Sequence, residues 1–142
     1  MMLSVVNFKM TELFKERGFE PLTSETWVVD PDGRYETISD WEMMKGKWDE
    51  DWYKDTGLHQ FSQALACQWL EEKHSIEIIT SRDTEDKYIY NAVVNDWRTA
   101  KRKTFAIAEI WVFNCKRFNG YESKSKAIDS ALEYVLNELL LI

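Results

Sequence analysis

Few residues in this chain are suited to binding a metal or to nucleophilic catalysis. Its 142 residues include two cysteines and two histidines, with neither a Cys-x-x-Cys nor a His-Glu-x-x-His motif. A structural zinc site would need nearly all four of these residues from scattered positions. The sequence also lacks a Gly-x-Ser-x-Gly elbow, a glycine-rich phosphate loop and a dinucleotide fingerprint. We therefore predict no catalytic residue, no cofactor and no metal, and keep an enzyme with a dispersed carboxylate site as an alternative.

The cysteine and histidine positions favour a structural role. Cys67 lies inside a predicted helix and Cys115 ends an apolar run, so both are predicted to be reduced core residues in a reducing compartment. His59 and Cys67 lie two helical turns apart in that helix, too far for a hydrogen bond between a base and a nucleophile. His74 is placed at the negative end of the helix dipole, which favours a charged imidazole.

Long apolar runs and linker-like segments are also absent. No apolar run is longer than four residues, the length of the run from Leu139 to Ile142, and this is far shorter than the roughly twenty residues that cross a bilayer. The first nine residues lack a basic leader, so we expect no secretory signal, a cytoplasmic location and no membrane partner. Two prolines and five glycines leave little room for a linker, and an aromatic content of 14% excludes a disordered chain. Residues 1–142 are predicted to form a single domain.

The stretch from Asp55 to Thr80 organises the predicted fold. Its apolar residues recur at steps of three and four, which predicts a helix over Gly57 to His74 capped by Asp55 or Thr56. These residues are Leu58, Phe61, Leu65, Trp69 and Leu70. A strand over Ile76 to Thr80 follows after at most one residue, so the helix must fold back on the sheet that it feeds.

Other segments complete an α+β prediction. Residues 9–17 suggest a short helix stopped by Gly18, and residues 27–38 read as a hairpin around Asp30-Pro31-Asp32-Gly33. Strands are predicted over 88–94 and 104–113, separated by a charged loop over 95–103. A last helix is capped by Ser123 or Ser125. We predict an antiparallel sheet of three to five strands with two main helices on one face, the second half running helix, three strands, helix. Whether the 27–38 hairpin joins this sheet stays open.

Residues 39–55 combine tryptophans with acidic residues. Trp41, Trp48 and Trp52 fit one helical stripe, but Gly46 and an acidic run argue against a continuous helix, so we predict a short helix and then a loop. Residues 36–55 hold seven acidic and three basic residues. This segment is either a solvated face whose rings cover the core or an exposed patch that meets a basic partner. In the second case the three tryptophans bind that partner.

Basic residues concentrate in a later stretch. Residues 98–126 contain eight basic and two acidic residues in a chain of net charge −7. Such separation steers a charged partner or promotes head-to-tail self-association, although these side chains can also neutralise the protein's own acidic loops. The candidate binding residues here are Arg98, Lys101, Arg102, Lys103, Lys124 and Lys126.

Two resemblances bear on function. The order helix, three antiparallel strands, helix, together with the entry Gly120-Tyr121-Glu122-Ser123-Lys124-Ser125-Lys126-Ala127, resembles a double-stranded RNA-binding domain. That resemblance implies that Lys124 and Lys126 contact phosphates. The sparse lysines here and the acidic remainder of the chain oppose binding to a polyanion.

The second resemblance covers about residues 58–142. The join from Cys67 to Ile78, the strand Tyr88-Ile89-Tyr90 and the stretch from Tyr121 to Leu132 resemble small uncharacterised proteins encoded by bacteriophages and prophages. It implies an accessory protein that acts on a host factor in the host cytoplasm. We therefore predict a non-enzymatic protein that binds a protein partner or itself, with a homodimer possible and a nucleic-acid-binding module as the alternative.

Overall fold

The computed structural model describes residues 4–44 and 53–141. They divide into two compact units, the first ending at Ser62 and the second running from Gln63 to Leu141. Each described unit contains a three-stranded antiparallel sheet and helices, which confirms the predicted α+β class. That the whole chain is one domain stays a prediction.

Unit 1 is built on a sheet of the order β2-β1-β3. Its elements are α1 (Phe8–Glu16), β1 (Glu25–Val29), β2 (Tyr35–Ser39), α2 (Asp40–Met44) and β3 (Lys54–His59). The predicted hairpin is confirmed as β1 and β2, and it lies in this sheet. Asp30 Oδ1 accepts hydrogen bonds from the N–H groups of Asp32 and Arg34, and Gly33 has a φ of +82°. This turn chemistry holds the two strands together.

The predicted amino-terminal helix is confirmed as α1. Asn7 caps it by accepting from the N–H of Met10 at 2.9 Å, and Gly18 takes a φ of +96° just beyond its end. Phe14 is fully buried, and its ring meets the edge of Phe61 at a centroid distance of 5.4 Å. An aromatic cluster therefore forms the core between α1 and the chain that follows β3.

The helix predicted from Gly57 begins at Gln63 instead, because residues 54–59 form β3. Asp55 and Thr56 accept hydrogen bonds from backbone N–H groups, as expected of capping residues. The donors are Gly57 and Leu58, so these bonds lie within β3 and not at a helix start. Gly57, at a φ of +75°, lies where the register between β1 and β3 shifts, in the manner of a β-bulge. Leu58 is buried in unit 1, so its helical spacing from the next apolar residues is coincidental.

Unit 2 has the predicted order of helix, three strands and helix. Its elements are α3 (Gln63–His74), β4 (Ile76–Arg82), β5 (Tyr90–Phe105), β6 (Ala108–Tyr121) and α4 (Lys124–Tyr134), followed by a π-helical turn (Val135–Leu139). Ser75, at a φ of +53°, is the single residue that links α3 to β4. α4 contacts all three strands and α3 contacts both β4 and α4, which confirms that the two main helices pack on the sheet.

The prediction of a loop over 95–103 is wrong, because this segment continues β5. β5 and β6 pair along most of their length and turn through Ala106 and Ile107. Ala106 adopts a φ of +51°, a conformation that glycine usually supplies in two-residue hairpin turns. Because the turn contains neither glycine nor proline, its sequence gave no signal for a tight hairpin.

The structure shows which of the two predicted residues, Ser123 or Ser125, caps the last helix. Ser123 Oγ accepts from the N–H of Lys126 at 3.1 Å, so Ser123 is the N-cap of α4. Gln63, at the start of α3, donates through Nε2 to Ser125 O at 3.0 Å and to Asp129 Oδ1 at 2.7 Å. These bonds fix the two helices to each other. The fully buried core of unit 2 includes Ala66, Leu70, Ile76, Ala92, Ala127, Ala131, Leu132, Val135 and Leu136.

Candidate binding surface

The hairpin of β5 and β6 extends beyond the sheet as a two-stranded arm, which we define as residues 97–113. The pairing of β4 with β5 ends at Ile76 and Asp96, so β4 does not pair with the arm. All side chains from Lys101 to Val112 are exposed. The segment holds four basic residues and one acidic residue. It brings together four of the predicted binding residues, namely Arg98, Lys101, Arg102 and Lys103.

Arg98 fixes the base of the arm. Its Nε and Nη2 donate to the two carboxylate oxygens of Asp96 at 2.9 and 2.8 Å, and its Nη1 donates to Leu139 O at 2.9 Å. The bond from Arg98 holds the pKa of the Asp96 carboxyl below its usual range, and that carboxylate in turn raises the pKa of the guanidinium. Arg98, one of the predicted binding residues, thus donates these hydrogen bonds to acceptors within unit 2.

The remaining basic residues of the arm lie on opposite faces. Paired residues of antiparallel strands share a face, and successive residues alternate. Lys101 and Lys103 pair with Val112 and Ile110, whereas Arg102, between them in the sequence, pairs with Trp111. The predicted basic cluster is therefore divided by the arm into two groups.

The face that carries Arg102 is held together by contacts within the arm. The guanidinium of Arg102 lies 5.8 Å from the centroid of the Trp111 ring and forms an ion pair with Glu109. Nearer the base, the Trp97 and Phe113 rings stack at 3.9 Å. On the other face, Lys101 and Lys103 form no ion pair with any other described residue. They are the arm's available cations.

Large apolar side chains are exposed near the end of the arm. Ile107, at the turn, has a relative exposure of 103%, which means that its whole side chain meets solvent. The exposed apolar residues of the arm are Trp97, Phe105, Ile107, Ile110, Trp111 and Val112. Strand pairing places Phe105, Ile110 and Val112 on the face that carries Lys101 and Lys103. Exposed apolar side chains that share a face mark an interaction site. Sequence periodicity did not reveal this cluster, since an apolar run of this kind is equally typical of a buried strand.

The other predicted binding residues lie apart from the arm in the chain. Lys126, in the first turn of α4, pairs with Glu122 at 3.2 Å, while Lys124 borders a surface depression of about 290 Å³ with Arg82 and Tyr90. Trp41, in α2, is exposed to 57%. Trp48 and Trp52 lie outside the described residues. Of the three tryptophans in this segment, the structure describes the exposure of Trp41 alone.

Cys115 and His74 have different surroundings from those predicted, whereas Cys67 lies inside α3 as expected. Cys67 is half-buried, and burial raises the pKa of its thiol to about 11. Cys115 is exposed, so its prediction as a core residue is wrong; it lies on β6, at the edge of the sheet. Burial, followed by the charge of Arg98, lowers the pKa of His74, so its surroundings favour the neutral imidazole over a charge at the helix end.

Asp129, on α4, is a half-buried carboxyl group. Burial raises the pKa of Asp129, but its Oδ1 is bonded to Gln63. A surface depression of about 320 Å³ lies between β6, α4 and the turn after α4, and Asp129 is not among the residues that line it. Across residues 4–44 and 53–141, no three His, Cys, Asp or Glu residues are grouped so as to hold a metal ion.

Comparison with protein-family models, curated proteins and solved structures finds no match to this chain. Among the described helices, none is both long enough and apolar enough to cross a membrane. The candidate surface is therefore assigned from its own chemistry.

Proposed function

We propose that this chain is a non-enzymatic binding protein whose arm docks on a protein surface. The observation that carries the proposal is the exposure of the large apolar side chains clustered near the end of the arm. Burying such side chains against a partner releases water from apolar surface, which is the main favourable term in protein association. Lys101 and Lys103 flank this apolar surface and suit a partner whose binding site has an acidic rim.

A protein partner fits the arm better than a nucleic acid does. Of the four basic residues in the arm, Arg98 and Arg102 are paired with carboxylates. Two remaining lysines offer few phosphate contacts, and the net charge of −7 repels a polyanion. The resemblance to phage-encoded accessory proteins makes a host protein in the cytoplasm a natural partner, and self-association is the other form of the same function.

Affinity capture with matched variants tests this proposal. We expect the immobilised protein to retain defined proteins or free copies of itself, and Ile107→Lys to abolish that retention by placing a charge at the apolar end of the arm. The control is Leu22→Lys, which changes another exposed apolar residue, in unit 1, and leaves retention intact. Equal retention by both variants, or a monomer that retains nothing, contradicts the proposal. Binding to nucleic acid that weakens steeply with salt would favour the alternative module.

A further inference from the structure

The outer edge of β6 is open. In the described sheet β6 follows β5 at the end of the order β4-β5-β6, so one of its two edges has no paired strand there. An open edge presents unpaired N–H and C=O groups that can template another strand. Proteins usually protect such edges with proline, lysine, bulges or short strands. β6 is 14 residues long and contains no proline.

Residues 108–118 of β6 have little of this protection, since Lys116 is the one lysine among them. The register shift near Asp96 places the extra residues on β5, because residues 97–100 lie opposite Phe113 alone. The other shift involves residues 119–120 near the end of β6. The stretch from Ala108 to Phe118 is therefore regular, and it includes four consecutive apolar residues at 110–113. A regular open edge with a central apolar run is suited to strand addition.

We propose that the occupant of this edge is a second copy of the chain, with the two β6 strands paired antiparallel about a two-fold axis at Phe113. This inference depends on the proposed function, since it names the partner of the arm. Such a pairing joins the unit 2 sheets of the two copies into one six-stranded sheet. It pairs residues 109–117 of both copies over about 30 Å.

Charge complementarity selects this register. Alternation places one set of side chains on the same face of β6, namely Glu109, Trp111, Phe113, Cys115 and Arg117. With the axis at Phe113, Glu109 lies directly opposite Arg117 of the second copy, and the same pair recurs across the axis. Lys116 then lies opposite Ile110, so no like charges meet. Moving the axis to Lys116 would instead place that lysine opposite its own copy, which is unfavourable.

The contacts within the arm are compatible with this pairing. Glu109 already accepts from Arg102, but a carboxylate has about four acceptor sites and can bond a second arginine. Phe113 meets its own copy at the axis, and aromatic cross-strand pairs of this kind stabilise sheets. A two-fold pairing also closes on itself, so it yields a dimer and leaves no open edge on β6 for further copies.

Sedimentation velocity and light scattering over a range of protein concentrations test the proposal with charge variants. We expect the wild-type protein to dimerise and Arg117→Glu to raise the dissociation constant by about tenfold or more, because two opposite-charge pairs become like-charge pairs. Adding Glu109→Arg to that variant restores much of the affinity. Lys116→Glu is the matched control, since it makes the same charge change at the adjacent residue, on the other face of β6. We expect that adding Glu109→Arg does not restore the affinity of this variant.

Disulfide trapping provides a readout of the register. In a Cys115→Ser background, Phe113→Cys is expected to form a linked dimer under mild oxidation, whereas Val112→Cys is not, since residue 112 lies opposite residue 114. A wild-type protein that stays monomeric, or a dimer unaffected by Arg117→Glu, overturns the inference. If the arm still captures a different protein while the chain is monomeric, the proposed function stands and the second copy is excluded; if nothing is bound, both fail.

Discussion

Asp96 shows how a single side chain stabilises the base of the arm. Its side chain is 8% exposed, and both carboxylate oxygens accept from the Arg98 guanidinium, which also reaches the backbone at Leu139. A buried carboxylate with this bidentate partner is stabilised in its charged form. The ion pair thus connects the start of the arm to the turn that follows α4.

Asp96→Asn is expected to lower the free energy of unfolding at pH 7 by about 1–2 kcal/mol, because it removes a charged hydrogen-bond acceptor. The pKa of Asp96 is lowered in the folded protein. Its stabilising effect is therefore present above the unfolded pKa of about 4 and is lost as the pH falls through the folded pKa. Urea unfolding of both proteins at pH 7 and pH 3 measures the difference, which should shrink at the lower pH.

Glu122→Gln is the control for this experiment, since Glu122 also pairs with a basic residue but is largely exposed. We expect it to change the stability by less than about 0.5 kcal/mol at either pH. An equal effect of Asp96→Asn at pH 7 and pH 3 would show that the charge of Asp96 is not the cause.

At the scale of the element, β3 shows how a conformational requirement overrides an apolar pattern. Leu58 and Phe61 continue the three- and four-residue spacing of α3, yet they are buried in unit 1. Gly57 accounts for part of the difference, because glycine disfavours a helix interior and here adopts the positive φ of a bulge. The two turn-forming side chains before it serve this bulge and not a helix start.

Gly57→Ala is expected to destabilise the protein by about 1–2 kcal/mol, because a Cβ makes the positive φ unfavourable. A Cβ at this position would meet no atom within 4 Å, so backbone conformation alone is responsible. Gly57→Asn should cost less, since asparagine tolerates this conformation. Thermal and urea unfolding measure both variants. Equal losses for alanine and asparagine would point to side-chain size instead.

At the scale of the whole molecule, the predicted single domain can be tested by calorimetry. Unit 1 and unit 2 each have buried leucines, Leu58 and Leu132, whose replacement by alanine should cost about 2–5 kcal/mol. If the chain is one cooperative domain, one transition is observed and both variants shift it. This expectation follows from the sequence, whose two prolines and five glycines leave little room for a flexible linker.

Two separate transitions, each shifted by only one of the variants, would contradict the single-domain prediction. They would show that each unit folds by itself. A surface variant such as Leu22→Lys serves as the control and should leave the transition within about 0.5 kcal/mol of the wild type.

The sequence by itself determined the α+β class, the β1–β2 hairpin and the order of elements in unit 2. Local chemistry is sufficient for these features: the Asp30-Pro31-Asp32-Gly33 turn and the amphipathic period of α4 are encoded within a few residues. The start of α3 was not determined in this way, since apolar spacing does not distinguish which unit buries a given residue.

Only the tertiary structure decided what the basic and apolar residues of the later chain do. Strand pairing separates Lys101 and Lys103 from Arg102, and ion pairs occupy Arg98 and Arg102. An apolar run reads the same in a buried strand and in an exposed arm, because its environment is set by pairing and packing between residues distant in sequence. The stretch from Asp55 to Thr80 supplies β3 to unit 1 and α3 and β4 to unit 2, and the proposed binding function lies in the arm.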